Sequence, residues 1–175
     1  MVIFVLSQIL GFVALIIACV SYFVKNKGVF LVVQMVANVF YALSFFTLNH
    51  LVAGVVTLVS TIRCVYIYFA EKHNLKYSQY YLSIFFVLYV VVGLVFWTGW
   101  LDIIPMFTAV MFTIAFYVKD LQLTRYLVLI PNFVLVIYNI ICKTYSNAML
   151  DFIEFVVVIV AIVKFYKQNK KVENV

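Results

Sequence analysis

The stretch Tyr80–Trp97, YYLSIFFVLYVVVGLVFW, contains no charged residue and no proline. Its length matches the ~20 apolar residues that a helix needs to cross a bilayer. On each side lies a block of similar length with three further hydrophobic runs: 2–24, 29–48 and 51–70 before it, and 103–118, 123–142 and 145–165 after it. A block of three crossings ends on the membrane face opposite to its start, so a second copy joined directly to it would insert upside down. One extra crossing restores the orientation. Tyr80–Trp97 reads as that inverting linker. The pattern predicts an all-α membrane protein with seven transmembrane helices, arranged as two parallel three-helix repeats joined by a linker helix. The divisions that follow are a first bundle at 1–76, the linker at 77–98, a second bundle at 99–166 and a cytoplasmic tail at 167–175.

Composition points the same way. The 175 residues are 68% hydrophobic and only 10% charged, with mean hydropathy +1.19. A soluble core of this size cannot bury so much apolar surface, so the lipid bilayer is the expected solvent and first partner. Strands are excluded because lipid leaves an open sheet edge without partners, and the alternating pattern of a barrel is absent. The basic pI of about 9.2 then bears on membrane topology, not on nucleic acid, for which no site is expected. Cys19, Cys64 and Cys142 match neither a metal motif nor a disulfide framework and read as buried, inert thiols. The first run begins at Val2 without a positive leader, which argues against a cleaved signal peptide.

Seven crossings put the termini on opposite faces, and the basic residues choose between them. With the C-terminus inside, ten lysines and arginines fall in cytoplasmic segments and Lys143 alone falls outside, Arg63 being within a run and not counted. The N-terminus is therefore expected outside and the C-terminus in the cytoplasm. A shift of 94 residues lays Lys25-Asn26 on Lys119-Asp120 and Asn38 on Asn132. Both asparagines begin ~9 residues into helices that start at the cytoplasmic face, which at ~1.5 Å per residue is close to the midplane of a ~30 Å core.

Arg63, Asp151 and Glu154 are the formally charged residues well inside hydrophobic runs. A charge at the bilayer centre costs ~2.5–3.5 kcal/mol on insertion scales, so each should face a cavity or a partner. Thr57, Ser60 and Arg63 form one stripe of the third run, and under the 94-residue shift Asp151 and Glu154 fall on Thr57 and Ser60. Three readings stand: an ion pair that is purely structural, a substrate or proton site, or snorkelling of Arg63 towards the cytoplasmic headgroups. Counted from the outer face at ~1.5 Å per residue, Arg63 is ~18 Å down, Glu154 ~13 Å and Asp151 ~9 Å. Pairing of Arg63 with the seventh run is therefore expected, through Glu154 first and Asp151 second. Asn38 and Asn132 read either as glue between helices or as part of the same site.

Other polar and small residues fit packing roles. Gln8 and Gln34 suit interhelical hydrogen bonds, Gly11, Ala14 and Ala18 suit close helix contact, and Pro105 and Pro131 suit kinks. Trp97, Trp100 and Tyr145 read as an aromatic belt at the outer interface. Enzyme chemistry finds no footing. His50 and His73 lie in loops on opposite faces, no glycine-rich phosphate loop or Cys-x-x-Cys occurs, and Asp151 with Glu154 on one turn is a poor aspartyl pair. No catalytic residue, metal site or cofactor is expected.

The three-one-three plan resembles the SWEET and PQ-loop superfamily. More closely, the chain resembles the YgjV family of bacterial inner-membrane proteins, through Gln8, Gly11, Gln34, Ala53-Gly54 with Arg63, Pro105, Thr108, Arg125, Asn139 and Asp151. It departs from the superfamily in lacking the Pro-Gln dipeptide and in carrying Ser60 where both groups would have asparagine. The resemblance implies a bacterial inner-membrane location and a SWEET-like fold. The function expected is movement of a small polar solute by alternating access, passive or proton-linked. Asn38, Asn132, Thr57, Ser60, Arg63, Asp151 and Glu154 are the candidate substrate-binding set. The competing expectation is a non-transporting multi-pass protein that acts through partner proteins. A midplane cavity lined by Asn38, Asn132, Ser60 and Glu154 favours the first, and a dry packed interior the second.

Overall fold

The computed structural model describes residues 2–48, 50–73, 79–97, 99–141 and 145–173. They form seven α-helices: α1 (Val2–Tyr22), α2 (Lys27–Thr47), α3 (Leu51–Lys72), α4 (Gln79–Val95), α5 (Ile103–Tyr117), α6 (Leu121–Ile141) and α7 (Tyr145–Glu173). A 3-10 turn, Trp100–Asp102, leads into α5. No strand occurs among the described residues.

The helix boundaries have local causes. Asn26 caps α2 by accepting from the backbone N–H groups of Gly28 at 2.8 Å and Val29 at 3.3 Å, which relieves donors that a helix start leaves unpaired. Asp120 does the same for α6, accepting from the Gln122 N–H at 2.9 Å. These caps are 94 residues apart, and so are the starts and ends of α2 and α6 and the starts of α3 and α7. Pro131 is inside α6. Pro105, expected to kink a helix, instead occupies the first turn of α5, where a backbone N–H has no intrahelical acceptor to lose.

Among the described residues, five helices are long and apolar enough to cross a membrane: α1, α2, α3, α6, and α5 with its 3-10 lead-in. In α4 the apolar described segment is the shorter Ser83–Val95. Helix α7 carries Asp151, Glu154 and Lys164. It runs for 29 residues, ~43 Å at ~1.5 Å per residue, so the tail expected from residue 167 is a continuation of the helix as far as Glu173. The turn at Cys142, Lys143 and Thr144 lies outside the described residues, as does the side chain of Tyr145.

The helices close a ring. α1, α2 and α3 pack in sequence, as do α5, α6 and α7, and the ring is completed by α3 against α5 and α7 against α1. α4 packs against α3 and α5 through Phe85, Tyr89 and Val92, which join Val52, Val56 and Ala109 in one apolar cluster. A second cluster gathers Tyr22, Phe30, Phe116, Val128 and Val158 from five helices. Polarity is inverted relative to a soluble protein. Ile62 and Leu94 are 62% and 70% exposed, while Arg63, Asn132 and Glu154 are buried. Only a hydrocarbon solvent makes that arrangement favourable.

Candidate functional site

A cavity of about 240 Å³ lies inside the ring, lined by residues of α1, α2, α3, α5, α6 and α7, and by none of α4 among those described. All seven sequence-predicted site residues line it: Asn38, Thr57, Ser60, Arg63, Asn132, Asp151 and Glu154. Most of the lining falls into pairs 94 positions apart, among them Tyr22 with Phe116, Asn38 with Asn132, and Ser60 with Glu154.

The expected ion pair between Arg63 and Glu154 is not there. Arg63 Nη1 donates to Thr113 Oγ1 at 2.8 Å, to the Ala109 carbonyl at 3.1 Å and to Tyr89 Oη at 3.4 Å. Its Nη2 points to Cys64 Sγ at 3.9 Å, and the guanidinium is 4.9 Å from the centre of the Phe116 ring. Depth along the axis did favour Glu154, but position around the ring decides. α3 packs on α5 and α4, so neutral acceptors of those helices reach the arginine first. Ser60 joins the same network, its hydroxyl 3.0 Å from Tyr89 Oη.

The carboxylates have neutral partners of their own. Tyr22 donates to Glu154 Oε1 at 2.8 Å and Tyr41 to Oε2 at 3.4 Å. Asn139 Nδ2 donates to Asp151 Oδ2. The remaining predicted residues differ in how much of their bonding capacity is free. Thr57 spends its hydroxyl on the Ala53 carbonyl of its own helix at 2.7 Å, and Asn38 makes a weak contact to Cys64 Sγ at 3.9 Å. Asn132 is 3% exposed. Its Nδ2 approaches Tyr22 without meeting hydrogen-bond geometry and is buried with no partner, as is Nε of Arg63.

Sequence reasoning missed the tyrosines. Tyr22, Tyr41 and Tyr89 hold Glu154 and Arg63, and Tyr138 also lines the cavity. The signal was present: Tyr41 and Tyr89 sit in mid-run, where a phenol needs a partner. His50, assigned to a loop, is exposed and lines the cavity, which therefore reaches the end of the bundle where α2 meets α3.

The opposite end is tied shut between helices of the two halves. Lys27 Nζ donates to Thr124 Oγ1 at 2.9 Å and lies over the rings of Phe30 and Phe116, which meet edge-on at 5.2 Å. Arg125 donates to the carbonyls of Tyr22 at 3.0 Å and Val24 at 2.7 Å, satisfying acceptors that the end of α1 leaves free.

No curated protein and no solved structure matches the chain. The family described as Imp-YgjV, bacterial inner membrane protein, matches residues 5–169. With its apolar crossing helices and its lipid-facing exterior, the chain belongs to that family of multi-pass bacterial inner membrane proteins.

Proposed function

We propose that this protein moves a small polar solute across the inner membrane by alternating access, without an enzymatic step. The observation that carries the reading is the cavity inside the ring, in whose largely apolar wall Asn38, Asn132, Ser60 and Glu154 are set together. Polar and charged side chains facing a chamber within a hydrocarbon-facing bundle are costly to keep unless something polar enters it. The unpaired Nδ2 of Asn132 is a donor left for that occupant. Its position near the middle of α6 fits the midplane location of substrate sites in transporters built from repeats.

The repeat reading has support of its own. The equivalent caps at Asn26 and Asp120, the paired cavity positions and the two ring closures are related by one 94-residue shift. Exchanging α1–α3 with α5–α7 turns the α3–α5 contact into the α7–α1 contact, as a pseudo-two-fold axis would. α4 and α7 supply the sixth and seventh crossings, and the lysine distribution supports a cytoplasmic C-terminus. The Lys27–Arg125 end is then cytoplasmic and closed, and the His50 end faces outside.

Two experiments test this. Topology reporters fused at the two termini should read opposite faces, cytoplasmic for the C-terminus; the same face for both would remove the linker role of α4. Purified protein in liposomes should exchange a labelled solute in counterflow, and Asn132→Ala should abolish it. Absence of exchange across sugars, amines, amino acids and nucleosides would favour the alternative, a membrane protein that works through partner proteins.

A further inference from the structure

Three formally charged side chains line the cavity, Arg63, Asp151 and Glu154, and none is paired with another. Among the described residues the arginine is held by neutral groups on α4 and α5 and the carboxylates by neutral groups on α1, α2 and α6. By formal charge, with both carboxyls ionised, one positive and two negative groups leave the lining one negative charge in excess. That excess is on α7 alone, because the matching positions on α3 are Thr57 and Ser60. Tyr22 and Tyr41 hold the Glu154 carboxyl through their hydroxyls, which fixes it in the wall as a point of attachment for an ammonium group. Two further groups ask for the opposite chemistry. Asn132 Nδ2 and Arg63 Nε are buried donors without partners, and leaving such a donor unmatched costs ~1–3 kcal/mol.

From this we infer that the occupant is a small protonated amine that also carries an oxygen acceptor. Its ammonium group is read by Glu154 and Asp151, and its oxygen by the free donors of Asn132 and Arg63. The assignment rests on the cavity being the solute site proposed above. A monovalent amine brings the lining to zero net charge, which lowers the cost of occluding it in a low-dielectric interior. A neutral sugar leaves the excess negative charge in place. An amino acid supplies the ammonium group but adds a carboxylate, so it leaves the lining one charge short of neutral and ranks second.

Serinol and glycerol make a matched pair, differing only in an ammonium group where the other has a hydroxyl, and L-serine adds the carboxylate. Their effect on the melting temperature of the purified full-length protein, and their binding by calorimetry, test the assignment. Serinol is expected to raise the melting temperature by several degrees, L-serine by less, and glycerol not at all. Glu154→Gln should weaken serinol binding about tenfold or more, whereas Lys164→Gln, a charge change on α7 outside the cavity, should leave it unchanged. Equal shifts by glycerol and serinol, no shift by either amine, or undiminished serinol binding in Glu154→Gln would each overturn the assignment. The comparison within the unmodified protein holds even if Glu154→Gln does not fold. Serinol binding without counterflow of any solute would sink the transport reading and leave this one standing. Counterflow of a neutral solute with no preference for amines would do the reverse.

Discussion

Arg63 is 2% exposed in the interior of a membrane protein, and what surrounds it explains why a charge is tolerated there. Three oxygens on α4 and α5, the sulfur of Cys64 and the face of Phe116 replace its hydration shell without an anion. Hydrogen bonds to a charged group contribute ~1.5–3 kcal/mol each, so the energetic partner is Thr113, the shortest contact. A double-mutant cycle on detergent stability with Arg63→Met and Thr113→Val should give a coupling of ~0.5–3 kcal/mol. The cycle of Arg63→Met with Glu154→Met should be additive within ~0.5 kcal/mol. The opposite ranking would restore the ion pair expected from the sequence. That expectation failed for an identifiable reason. Counting residues along two runs locates side chains in depth, but nothing in the runs says which helices are neighbours around a ring. The seven polar positions were legible because polar residues stand out against an apolar background. Their partners were not, because tyrosine counts as apolar until its hydroxyl is placed.

At the scale of elements the sequence was nearly sufficient. Charged and turn-forming punctuation such as Lys25-Asn26-Lys27-Gly28 marks helix ends in a chain where composition is otherwise uniform, and the caps at Asn26 and Asp120 sit at those marks. Faces were not legible, since the core side and the lipid side of a membrane helix are both apolar and periodicity vanishes. The glycine contacts reveal one such face. A Cβ on Gly54 would lie 2.7 Å from the Phe46 ring, while one on Gly11 would lie 3.4 Å from Ser44 Oγ. Gly54→Ala must therefore push α2 from α3 or rotate the ring, an overpacking cost of ~1–3 kcal/mol. Gly11→Ala should fit with little loss. Melting temperatures of the two variants in one detergent check this, and Phe46→Leu should recover part of the Gly54→Ala loss. Equal stability of both single variants would mean that α2 and α3 are less closely packed than the structure has them.

The whole molecule is closed at one end and reaches the surface at the other, and its halves are joined at the closed end by few bonds. Lys27 crosses from α2 to Thr124 on α6, and Arg125 crosses from α6 to the end of α1, where its guanidinium also stacks 4.1 Å from the Phe165 ring centre. Beneath them Tyr22 and Phe116 form the floor of the cavity, backed by Phe30 in the same apolar cluster. If the protein alternates, these contacts must separate, so weakening them should shift the population towards the state open at that end. Each charge-assisted bond contributes ~1.5–3 kcal/mol, and ~1.4 kcal/mol is a tenfold change in an equilibrium. Lys27→Met should therefore raise the opposite state about tenfold or more. The reporter is Thr57→Cys, on the cavity wall, in a chain whose own cysteines are replaced by alanine. A membrane-impermeant maleimide should label it from the His50 face in the parent protein. In the Lys27→Met background, labelling from the Lys27 face should rise as labelling from the His50 face falls. A change from one face alone would be a leak, not an exchange of states. Unchanged labelling from both faces would mean that Lys27 and Thr124 stabilise a static bundle, and the alternating reading would lose its gate.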